Sequence, residues 1–83
     1  MIYLDLKKLN KTAIQALNEC LDFMQNGWIY VGDLSTTDVW IVSFRKPSTG
    51  EKLKIRIFQK SYDVWRNGVL KKIIHNKHAG LKD

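Results

Sequence analysis

Lys52, Lys54 and Arg56 alternate along the chain, and Arg45 and Lys46 stand just before the Pro47–Gly50 segment that leads up to them. Alternation at strand rise, about 3.3 Å per residue, would set the three cations in a row on one face, where they could meet successive phosphates. A second basic group follows. Lys71, Lys72, His75 and Lys77 lie off the apolar positions Leu70, Ile73 and Ile74. Arg45, Lys46, Lys52, Lys54, Arg56, Lys71 and Lys72 are therefore the expected nucleic-acid-binding residues. The competing reading is ordinary: a solvated sheet face and a solvated helix face, where Lys and Arg are common.

Catalytic chemistry has thinner support. His75 and His78 are the two histidines, at a spacing compatible with a metal pair on a helix. No Cys, Asp or Glu cluster stands beside them in sequence, so no metal or other cofactor is expected. His75 is the side chain suited to general-base work near neutral pH. Phosphate-binding loops, dinucleotide fingerprints and a Ser/His/Asp order are missing from the sequence. Trp65 would stack on a base if exposed, and would otherwise anchor a core.

The charge distribution agrees with a polyanion partner. Net charge is +6 over 83 residues. Residues 1–44 carry three Lys against five acids, and residues 45–83 carry eleven Lys/Arg against three. The basic surface should belong to the second half. Hydrophobic residues make up 45%, enough for one modest core. A single cysteine, Cys20, rules out an intrachain disulfide and favours a reducing compartment. No apolar run approaches a membrane span, and Met1–Asp5 lacks a signal-peptide pattern. A complete, single-domain, cytoplasmic protein spanning 1–83 is the expectation.

These residues need elements to position them. Thr12 with Gln15 fits a capping box. Ala13, Leu17, Cys20 and Met24, beside Ile14 and Leu21, follow at helical spacing, and Asn26-Gly27 ends the helix. Cys20 reads as a small core residue. Trp28–Val31 reads as a strand, Gly32–Asp38 as turn material, Val39–Arg45 as a second strand, Lys46–Gly50 as a hairpin loop and Lys52–Phe58 as a third strand. Ser61–Arg66 fits a helical turn or a connection. Asn67-Gly68 could be a hairpin tip. Against that, Val69, Leu70, Ile73, Ile74 and Lys77 recur at helical spacing and predict a helix over 68–78. Residues 2–6 fit either a short strand or a lead-in to the first helix. The resulting architecture is α+β in the order α-β-β-β-α: a three-stranded antiparallel sheet with two helices packed on one face.

Three segments in this order resemble the HicA-like messenger-RNA interferase toxins: Asn26-Gly27-Trp28; Phe44-Arg45-Lys46-Pro47 with Gly50 and Leu53-Lys54-Ile55; and Gly68–Ile74 closing with Ala79-Gly80-Leu81. The resemblance covers about residues 13–81. It implies a double-stranded-RNA-binding-domain-like fold, an RNA-facing surface and an antitoxin-like protein partner. The family's catalytic histidine belongs to a Gly-Ser-His-type segment at the second strand. Here that stretch reads Gly32-Asp33-Leu34-Ser35-Thr36-Thr37-Asp38-Val39-Trp40 and holds no histidine. The leading expectation is thus a non-catalytic or diverged RNA-binding relative. The alternatives are a phage or mobile-element regulator that binds a host or defence protein, and a ribonuclease with an atypical site.

Overall fold

The computed structural model describes residues 10–76. Its first element is the helix α1, Lys11–Gln25. Asn10, and not Thr12, caps it. The Asn10 side chain accepts from the Ala13 backbone N–H at 2.9 Å and donates to the Gln59 carbonyl at 3.0 Å. Asx side chains suit this position because they satisfy a backbone donor that the first helical turn leaves free. Asn26 closes the helix as expected, with its N–H on the carbonyls of the last turn. Gly27 then takes φ +96°, a left-handed conformation that a side chain disfavours.

Five strands follow: β1 (Ile29–Ser35), β2 (Trp40–Lys46), β3 (Glu51–Ile57), β4 (Ser61–Arg66) and β5 (Val69–His75). They form one antiparallel meander in sequence order, with β1 and β5 at the edges. The three-stranded, two-helix expectation is therefore overturned in its second half. Residues 61–66 and 69–75 are strands, joined by the two-residue tip Asn67-Gly68. Both tip residues have positive φ, +53° and +81°, as a hairpin turn matched to sheet twist requires. The Asn67 side chain also accepts from the Lys52 N–H at 2.9 Å, which ties the turn to β3. The N-terminal strand considered for residues 2–6, and His78 and the end of the expected last helix, lie outside the described residues.

The helical spacing of Val69, Leu70, Ile73 and Ile74 has another cause. The β4–β5 register shifts between Val64 and Trp65, so Trp65 faces Leu70 while Val64 faces Lys72. Lys71 is the extra residue of this bulge. The bulge flips the alternation partway along β5, and apolar residues occupy both faces of the strand. Together these two features imitate a helical stripe.

One sheet face is the core. Val42 and Phe44 from β2, Leu53, Ile55 and Ile57 from β3, and Tyr62 and Val64 from β4 are buried there with Trp28. From α1 the core takes Ala13, Ala16 and Cys20, with Phe23 packed alongside. These small residues let the helix lie close over β3 and β4. The helix stripe thus differs from the expected one, for Ile14, Leu21 and Met24 are exposed. Cys20 is a core residue, as expected; burial pushes its thiol pKa up to about 11.

Candidate nucleic-acid interface

Among the described residues, no helix lies over the other face of the sheet. Cross-strand pairing fixes its composition, because paired residues share a face. One row runs Ile29, Arg45, Lys52; the next Gly32, Ser43, Lys54, Trp65, Leu70; the next Leu34, Ile41, Arg56, Asp63, Ile73. Ser61 and His75 pair beyond them. The alternation of Lys52, Lys54 and Arg56 against Leu53, Ile55 and Ile57 holds as read from the sequence.

The seven expected cations divide into groups. Arg45, Lys52 and Lys54 lie together on this outer face, exposed, and form no ion pair among the described residues. Arg45 and Lys52 are direct cross-strand partners. Like charges so placed destabilise a sheet, by up to about 1 kcal/mol. No acidic side chain among the described residues pairs with them.

Arg56 shares the face but is not free. Its guanidinium grips Asp63 through two bonds, Nε to Oδ1 at 2.9 Å and Nη2 to Oδ2 at 2.8 Å. Trp65 Nε1 donates to the same carboxylate at 2.7 Å. The guanidinium carbon lies 5.3 Å from the Phe58 ring centroid and 5.2 Å from that of Trp65. The carboxylate raises the Arg56 pKa above its already high ordinary value. Asp63 is 6% exposed, so the arrangement satisfies a buried charge. Trp65 is therefore neither a free stacking platform nor a core anchor. It is a half-buried outer-face residue held in this network.

Lys46 and Lys72 belong to the opposite side. Lys46 Nζ sits 5.5 Å from the Trp28 ring centroid, and the Arg66 guanidinium 5.6 Å from the same ring. Lys72 pairs with Glu19 of α1. Both lysines fasten helix-side structure. Lys71 is exposed at the β5 bulge. The expected basic helix face does not exist, because residues 69–75 are a strand.

Two further pairs hold titratable groups. Arg66 bonds both oxygens of Glu51, at 2.7 and 2.9 Å, and holds that carboxyl below its ordinary value. Tyr62 donates to Glu19 at 2.6 Å, and burial with that carboxylate raises its phenol. His75 is exposed opposite Ser61, and no metal-holding cluster of His, Cys, Asp and Glu occurs among the described residues. Beside the cations, Gly32 and Ser43 leave a shallow depression walled by Val31, Leu34 and Ile41, with Lys54 at its margin.

Sequence reading missed Asp63 and the depression. Asp63 and Trp65 do alternate out of phase with Tyr62 and Val64, and that phase was the available signal. Searches of protein-family models, curated proteins and solved structures find no match to this chain. No helix of the described residues is long and apolar enough to cross a membrane.

Proposed function

We propose that the protein binds single-stranded nucleic acid, RNA foremost, across the open face of its sheet. The observation that carries this reading is the trio Arg45, Lys52 and Lys54: exposed, adjacent and without an ion pair among the described residues, on the face opposite α1. A polyanion would relieve the repulsion that the fold itself leaves standing. A five-stranded sheet face cannot enter a duplex groove as a helix does, but it can carry splayed bases above a row of phosphate contacts. The Gly32–Ser43 depression would seat one base, with Lys54 on its phosphate. Affinity comes mainly from phosphates, so sequence preference should be weak.

The test is fluorescence anisotropy with a labelled single-stranded RNA. Replacing Arg45, Lys52 and Lys54 together by Ser, Thr and Thr should remove measurable binding at moderate salt. Replacing Lys46 and Lys72 by Thr should leave binding within about twofold, because those side chains serve the helix side. Equal losses in both variants would mean that the outer face has no special role.

A further inference from the structure

Positive charge is not spread evenly over the outer face. Arg45 and Lys52 belong to its first cross-strand row, and Lys54 to its second, which runs from Gly32 on β1 to Leu70 on β5. Lys52 also donates its backbone N–H to Asn67, so the first row lies at the Asn67-Gly68 end of the sheet. The third row, Leu34, Ile41, Arg56, Asp63 and Ile73, holds one cation and one carboxylate, bonded to each other, among aliphatic side chains. Beyond it, Ser61 pairs with His75. The charge thus forms a band across one end of the face, and the third row bounds that band with a neutral, largely apolar border.

A phosphate chain has two ways over such a face. Along β3 it would meet Lys52 and Lys54 and then Arg56, whose guanidinium is already held by both oxygens of Asp63. A phosphate there would have to take the cation from a carboxylate that is 6% exposed, and a buried charge left alone is costly. Across the strands, the chain stays within the band. The dimensions fit this second path. Strands about 4.8 Å apart put β1 and β5 about 19 Å from each other. A single strand drawn out to about twice the duplex rise of about 3.4 Å crosses that width in about three steps, or about four nucleotides. Such a segment has as many linking phosphates as the band has cations.

We infer, on the single-strand reading above, that the nucleic acid lies across the β-strands over the first two rows, from Gly32 to Leu70, and that the site takes a segment of about four nucleotides. One end of the path is the depression at Gly32 and Ser43. A Cβ on Gly32 would meet no atom within 4 Å, so the space above this backbone is open to a base. The other end passes Leu70, which is exposed beside Trp65. Leu34, Ile41 and Ile73 offer a phosphate neither charge nor side-chain donor, and this keeps the chain on the first two rows.

The test titrates oligouridylates of about two to eight nucleotides into the ¹⁵N-labelled full chain and its variants, followed by NMR. Affinity should climb with length up to about four nucleotides and then gain only the statistical factor of extra registers. Amide shifts should appear at Gly32, Ser43 and Leu70 together, and not at Phe58 or Ser61. L70D and H75D place the same carboxylate at exposed positions of β5, one inside the band and one beyond it. L70D should weaken binding about fivefold, the worth of about one phosphate contact, and H75D by less than about twofold. Equal effects of L70D and H75D would overturn the crossing path while binding through the trio stands. So would shifts that run down β3 to Phe58 with Gly32 and Leu70 unmoved. Should L70D fail to fold, the parent's shift pattern and length dependence still decide. Affinity that keeps climbing steeply beyond about four nucleotides would overturn the length. No binding of any oligomer, or undiminished binding by the Arg45/Lys52/Lys54 variant, would instead remove the single-strand reading, and the path with it.

Discussion

Asp63→Asn should weaken the fold and strengthen nucleic-acid binding at the same time. Asp63 accepts three hydrogen bonds, two from Arg56 and one from Trp65, while only 6% exposed. The amide keeps one acceptor and turns a donor toward a guanidinium, so at least one of those bonds becomes a repulsion. Breaking a fully buried ion pair costs about 3–5 kcal/mol. The Arg56 side chain is 38% exposed, so solvent screening lowers the expected loss to about 2 kcal/mol. For a domain of this size that is a fall in melting temperature of about 10 °C. Meanwhile Arg56 is released on the same face as Arg45, Lys52 and Lys54. One further phosphate contact on a single strand adds about 0.7 decade at 0.1 M salt, so affinity should rise about fivefold. Thermal unfolding and anisotropy, the latter read well below the variant's midpoint, give the two numbers. An unchanged melting temperature would refute the buried network. A destabilised variant with unchanged or weaker RNA binding would refute the placement of the binding face.

The remaining expectations are more local. Arg45→Thr should raise the melting temperature slightly in low salt and not in high salt, because it removes a like-charge cross-strand neighbour of Lys52, an effect worth at most about 1 kcal/mol. Asn67→Ala should cost about 1–2 kcal/mol in denaturant unfolding, since it loses both tolerance of the left-handed turn and the side-chain bond to Lys52. Cys20 should resist thiol reagents at pH 8 until the chain unfolds. Its folded pKa, about 11, is raised from 9.0, so the folded state holds this proton more tightly than the unfolded state does. That contribution to stability is complete below pH 9.0 and is lost as pH climbs toward about 11. Tyr62, raised in the same sense, should add to the alkaline loss, and Cys20→Ala should flatten the profile in this window.

The element order of the first two thirds could be read from residue order, but β1 runs on through Gly32–Ser35, which reads as turn material, because those residues pair with Trp40–Ser43 of β2. Alternation in Lys52–Ile57 and the Asn26-Gly27 stop are local signals with local causes, and they hold. The end of the chain misleads for a definite reason. The bulge at Lys71 shifts the strand's phase, and β5 is an edge strand with apolar residues on both faces. Period two is thereby disguised as period 3.6. The Asn67-Gly68 tip was the truer signal, because positive φ at two successive residues serves a tight hairpin and not a helix start. On α1, the residues that touch the sheet are the small ones, Ala13, Ala16 and Cys20, and size-weighted pattern reading favours Leu17 and Met24 instead. The candidate site was legible to the extent that strand alternation is. Lys52, Lys54 and Arg45 share a face as expected, while Lys46 and Lys72 face the helix side because pairing carries them there. That Arg56 is consumed by Asp63 depends on the β3–β4 pairing, which no local pattern states.

The salt dependence of RNA binding tests the central claim most directly. Three free cations on the outer face should give a slope of log affinity against log salt of about −2 for a single strand. Raising salt from 50 to 200 mM should then weaken binding about twentyfold. Engagement of all seven cations named from the sequence would give a slope of about −5, and an affinity flat with salt would mean no phosphate contacts at all. A slope near −2 that vanishes in the Arg45/Lys52/Lys54 variant is the predicted result; a slope near zero, or a steep slope that survives in that variant, would contradict it.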